Sequence, residues 1–86
     1  MAEPNVYEVV GRYLRRELPE IELRCRLLGC VEWLERWAPE DQRDFGCAAM
    51  NFDFIFQDGE WTEDSFRREL EGEYQKALKQ RPSRVS

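Results

Sequence analysis

Three cysteines, eighteen acidic residues and no histidine define the chemistry open to this 86-residue chain. Histidine is the usual general base, the commonest metal ligand and the side chain that titrates near neutral pH. Without it, neither a Ser–His–Asp nor a Cys–His arrangement can be assembled. Cys25, Cys30 and Cys47 include no Cys-x-x-Cys pair, and a structural zinc site needs four ligands, usually Cys or His. On one helix Cys25 and Cys30 would point about 140° apart, so they could not bridge. They read as small buried hydrophobes in a reducing compartment. The carboxylates Asp53, Asp58, Glu60, Glu63 and Asp64 crowd one stretch, and Asp58-Gly59 resembles a fragment of a calcium loop. With Gly59 as the invariant glycine of such a loop, Phe54 and Phe56 fall where ligands must stand, so the register fails. The glycines form no phosphate-binding loop. No catalytic residue, metal ligand or cofactor site is expected, and the chain reads as a non-enzyme.

What remains is an electrostatic asymmetry. Between Arg43 and Arg67 there is no basic residue, while Asp44, Asp53, Asp58, Glu60, Glu63 and Asp64 contribute −6 against a net charge of −5 for the whole chain. The same stretch carries Phe45, Phe52, Phe54, Phe56, Trp61 and Phe66. Acids interleaved with aromatics make a docking surface, in which the rings supply contact area and the charges steer a basic partner. The residues expected to make that contact are Asp53, Asp58, Glu60, Trp61, Glu63 and Asp64, with Trp61 half exposed in a connection. A plainer account competes: Asp44, Glu63 and Asp64 suit helix N-terminal turns, and the phenylalanines suit a core.

Four helices must position these residues. The first runs from Asn5 to Leu18, with Asn5 as N-cap and Val6, Val10, Tyr13, Leu14 and Leu18 on one face. Pro19 breaks it. The second runs from Glu20 to Trp37 on a stripe of Leu23, Leu27, Cys30, Leu34 and Trp37, broadened by Leu28, Val31 and Trp33. The third, Glu40 to Gln57, places Phe45, Ala48, Ala49, Phe52, Ile55 and Phe56 together and stops at Gly59. The alternative for this stretch is a short hairpin at about residues 50–61, with Asp58-Gly59 as its turn. The fourth runs from Glu63 to Gln80 behind the N-cap Thr62, with Phe66, Leu70, Tyr74, Ala77 and Leu78 inward. Short connections make sequential helices antiparallel. The expected fold is therefore an all-α, compact four-helix bundle over residues 1–80, with a flexible tail at 81–86. The alternative is α+β with the hairpin.

The acidic balance opposes binding to nucleic acid phosphates. No apolar run approaches the 18 residues of a membrane span, and the start of the chain lacks the pattern of a secretion signal. A cytoplasmic location is expected. In size, acidity and four helices the chain is similar to the colicin immunity proteins, which neutralise a basic nuclease by covering it. Asp58-Gly59-Glu60-Trp61-Thr62-Glu63-Asp64-Ser65-Phe66 resembles an acidic helix start in that family. The family's paired-tyrosine segment has no counterpart, and no residue role is carried over. The expected function is that of a small acidic adaptor or inhibitor, docking on a basic protein through residues 44–66. The alternative is a structural homo-oligomer, a homodimer included, assembled through apolar faces such as that around Trp33 and Trp37.

Overall fold

Asn5 starts the first helix by accepting the Glu8 backbone N–H on Oδ1 at 3.2 Å, which satisfies an amide that has no partner inside the helix. The computed structural model describes residues 5–80, apart from the side chain of Gln80. The helices are α1 (Val6–Leu14), α2 (Glu20–Gly29), α3 (Val31–Arg36), α4 (Glu40–Gln57) and α5 (Glu63–Gln80), and there is no strand among the described residues. The fold is all-α, a compact bundle of four longer helices and the short α3. The expected tail, residues 81–86, lies outside the described residues.

Helix ends account for two boundaries. At the end of α1 the Arg16 N–H donates to the Tyr13 carbonyl at 2.9 Å and the Glu17 N–H to the Arg12 carbonyl at 2.8 Å. This pair of bonds closes a helix only when the residue after the cap is left-handed, and Arg16 has φ 66°. α1 therefore stops short of Leu18, although Leu18 is still buried in the connection. The end of α4 repeats the geometry with a better residue. Gly59 N–H donates to the Phe56 carbonyl at 3.0 Å, Glu60 N–H to that of Ile55 at 3.3 Å, and Gly59 has φ 83°. The hairpin alternative for residues 50–61 is thereby replaced by helix followed by a glycine-closed turn. Thr62 caps α5 as expected, its Oγ1 accepting the Ser65 N–H at 3.2 Å.

The second expected helix is two. α2 ends at Gly29, and Cys30 has φ −114° and ψ 14°, outside helical geometry. Glycine is a weak helix former, and Gly29 has nothing within 4 Å of its missing Cβ to hold it in place. The break turns the expected stripe: Leu23, Leu27 and Leu34 are buried and Cys30 is half-buried, but Trp37 is 73% exposed. The cysteines also depart from expectation, since Cys25 and Cys47 are exposed and only Cys30 is partly covered.

α4 is the organising element and touches every other helix. Its partner α5 runs antiparallel to it, since Phe56 stacks on Phe66 at one end (5.1 Å between centroids) and Phe45 meets Tyr74 at the other (5.9 Å). α2 and α3 run down α4 in the opposite sense, with Arg24 against Asp53 and Leu34 against Gly46. Tyr13, Phe66, Leu23, Leu27, Leu34 and Leu70 are almost completely buried. Each stabilises the bundle by roughly 1.5–3 kcal/mol over an exposed position.

Candidate functional site

The turn between α4 and α5 brings together most of the expected contact residues. Gly59 reverses the chain there, so Asp58 at the end of α4 and Asp64 in the first turn of α5 flank Glu60 and Trp61. Asp58, Glu60, Glu63 and Asp64 are exposed, and Trp61 is half-buried. The Trp61 ring meets Phe52 edge to face with centroids 5.5 Å apart, a favourable arrangement for aromatic quadrupoles. That contact holds the indole against α4, where it remains half-buried. Among the described residues, the side chains of Asp58, Glu60 and Asp64 have no internal hydrogen-bonding or ion-pairing partner. They cost nothing to present to a partner beyond their own desolvation.

Glu63 is committed inward. Its Oε2 accepts from the Tyr13 hydroxyl at 2.9 Å and from Arg67 Nη2 at 3.2 Å. Arg67 lies over the Tyr13 ring, 4.4 Å from its centroid, and donates through Nη1 to the Tyr13 carbonyl at 3.1 Å. Burial, then the hydrogen bond to Glu63, push the Tyr13 phenol above its ordinary range.

Asp53 does not belong to the surface. It is 4% exposed, and its Oδ2 accepts from Arg24 Nε at 3.2 Å and from Gln57 Nε2 at 2.6 Å. A carboxylate among apolar neighbours must be paired, and α2 supplies the cation. The same guanidinium donates through Nη2 to both oxygens of Glu20, at 3.0 and 2.9 Å. Burial and the neighbouring Asp53 carboxylate push Glu20 up to about 7.

The opposite end of the α4–α5 pair holds a feature that sequence reasoning missed. A cleft of 470 Å³ opens between the start of α1, the start of α4 and the last turns of α5. Tyr7 and Phe45, stacked with centroids 4.9 Å apart, line it, together with Glu40, Asp41, Asp44 and Glu73 and no basic residue. The Tyr7 hydroxyl donates to Asp41 Oδ2 at 3.2 Å. Glu40, Asp41 and Asp44 also complement the amide dipoles of the α4 N-terminus, which is why the sequence alone explains them without a cleft. Glu73 and Tyr7 join them only in three dimensions.

Among the described residues no three His, Cys, Asp or Glu side chains converge as metal ligands would, and no described helix is long and apolar enough to cross a membrane. No family model matches the chain, and neither a curated protein nor a solved structure matches it.

Proposed function

We propose that this chain is a non-enzymatic docking module, an adaptor or inhibitor, that binds a basic protein surface through the α4–α5 turn. The observation that carries the reading is the set of three carboxylates without internal partners among the described residues, Asp58, Glu60 and Asp64, around a half-buried Trp61. The contact set is narrower than the sequence alone implies. Asp53 is internal, and Glu63 is held by Tyr13 and Arg67, so Asp58, Glu60, Trp61 and Asp64 remain. An aromatic anchor ringed by acids gives both contact area and steering towards a cationic partner.

The test compares baits rather than counting captures. Wild type, Asp58→Lys/Glu60→Lys and the control Glu32→Lys on α3 are each used for affinity capture from host extract with quantitative mass spectrometry. The reading requires a protein retained by wild type and Glu32→Lys and lost at least tenfold with the double reversal. Equal recovery with all three folded baits removes it.

A second reading has its own observation. Ile21, Leu28, Phe54 and Trp37 are more than half exposed, and large apolar side chains left open can meet a second copy. In this reading the chain is a structural homo-oligomer. Sedimentation at micromolar concentration separates the two, since a monomer that still passes the capture test leaves only the docking module.

A further inference from the structure

Arg24 is asked to serve two carboxylates at the contact of α2 with α4. Its Nη2 is spent on Glu20 and its Nε on Asp53 Oδ2, and Gln57 adds a neutral donor to the same Oδ2. Two ionised carboxylates on one guanidinium leave the cluster with one excess negative charge in a place where Asp53 is 5% and Glu20 13% exposed at the side chain. Asp53 Oδ1 is buried with no donor, an arrangement that costs free energy and calls for an explanation. The Glu20 carboxyl stands beside Asp53 on the same guanidinium. One proton would cancel the excess charge and supply the missing donor together.

We propose that Glu20, Arg24 and Asp53 form a proton-operated clasp between α2 and α4, closed when Glu20 takes a proton from solvent and donates it to Asp53 Oδ1, and loosened when that proton returns to solvent. The other groups facing Glu20 do not replace that proton. On α1 the Tyr13 hydroxyl, which feels the Glu20 charge, is already given to Glu63, and on α5 Arg67 donates to the Tyr13 carbonyl and to Glu63, its buried Nε having no acceptor. On α4 Gln57 is neutral and engaged with Asp53. The Glu20 carboxyl, pushed up to about 7 by burial and then by Asp53, sets the range. The folded state holds a proton that the unfolded state releases near the ordinary glutamate value of about 4.3. Stability therefore falls as pH rises from about 4.3 to about 7 and levels off above. The clasp uses none of Asp58, Glu60, Trp61 and Asp64, so its failure would leave the docking reading intact.

The experiment follows the Glu20 side-chain carboxyl carbon by NMR against pH, alongside urea unfolding of wild type and Glu20→Gln at about pH 5 and pH 8. Glutamine can donate permanently to Asp53 Oδ1, so it fixes the clasp closed. The expected result is a Glu20 midpoint at least one unit above 4.3, a wild-type urea midpoint that drops from pH 5 to pH 8, and a Glu20→Gln midpoint that drops less. A Glu20 midpoint in the ordinary carboxylate range overturns the proposal, as do wild-type and Glu20→Gln curves that fall in parallel.

Discussion

The Tyr13 hydroxyl donates a 2.9 Å hydrogen bond to Glu63 Oε2, joining residues 50 positions apart and tying the end of α1 to the start of α5. Tyr13→Phe keeps the buried ring and its contact with Phe66 and removes only that bond. Glu63 is half exposed and can return to water, so the expected loss is about 1 kcal/mol in urea denaturation at neutral pH. The phenol gives a second handle. Burial and Glu63 hold it protonated above its ordinary range, so the folded state keeps a proton that the unfolded state releases near pH 10. Wild-type stability should fall as pH rises beyond about 10, and Tyr13→Phe should lack that part of the decline.

Two helix ends use the same backbone bonds with different residues, and they should respond oppositely to substitution. Arg16, with φ 66°, carries the strain that a Cβ brings to left-handed backbone. Arg16→Gly should stabilise by about 0.5–1 kcal/mol after glycine's own entropy cost. Gly59, with φ 83°, has nothing within 4 Å of where a Cβ would stand, so Gly59→Ala suffers only the conformational penalty, about 1 kcal/mol. Thermal unfolding of both variants checks the pair. A shift of the same sign in each would contradict the shared closure.

Gly46 and Gly72 separate packing from helix propensity. A Cβ on Gly46 would meet the Leu34 methyl carbons at 2.8 and 3.0 Å, and Leu34 is 1% exposed with little room to move. Overpacking of about 1–3 kcal/mol outweighs the roughly 1 kcal/mol that alanine gains over glycine in a helix. Gly46→Ala should therefore destabilise by about 1 kcal/mol. Gly72 lies within α5 with open space around it, so Gly72→Ala should stabilise by about 0.5–1 kcal/mol. Denaturant midpoints measured side by side decide both.

Most of the fold was legible because its signals are local. Asn5 and Thr62 cap the helices that their side chains foretell, and Gly59 ends α4 where a left-handed residue is required. The fate of Asp53 was half written in the spacing. Phe45, Ala49 and Asp53 stand four residues apart on one face of α4, and all three are buried. An acid on that face needs a cation, but Arg24 is 29 positions away and nothing local marks it as the partner. The break at Gly29 was obscured because Leu23, Leu27 and Leu34 keep a helical rhythm across it. The acid-lined cleft was invisible for a different reason. Tyr7 and Glu73 reach it from α1 and α5, and only their packing on α4 joins Glu73 to three carboxylates already explained by a helix start.

Arg24 holds two carboxylates at once, so its loss should cost more than any of the substitutions above. Arg24→Met preserves the aliphatic stem along α2 and removes the cation from two carboxylates. Asp53, buried and with one oxygen already lacking a donor, would retain only Gln57. Breaking a buried pair by deleting one partner leaves an uncompensated charge, and the quarter exposure of Arg24 moderates the loss. The expected cost is about 2–4 kcal/mol near pH 8. At about pH 5 Glu20 is mostly protonated, since its carboxyl is pushed up to about 7, so the cluster carries one less negative charge and the loss should shrink. The exposed pair of Arg36 with Glu32 at 3.7 Å serves as the control, because screened surface pairs contribute less than about 0.5 kcal/mol and Arg36→Met should show little dependence on pH. Urea unfolding of both variants at the two pH values tests the assignment. An Arg24→Met loss that grew towards pH 5 would mean that Asp53 is held by something other than the guanidinium.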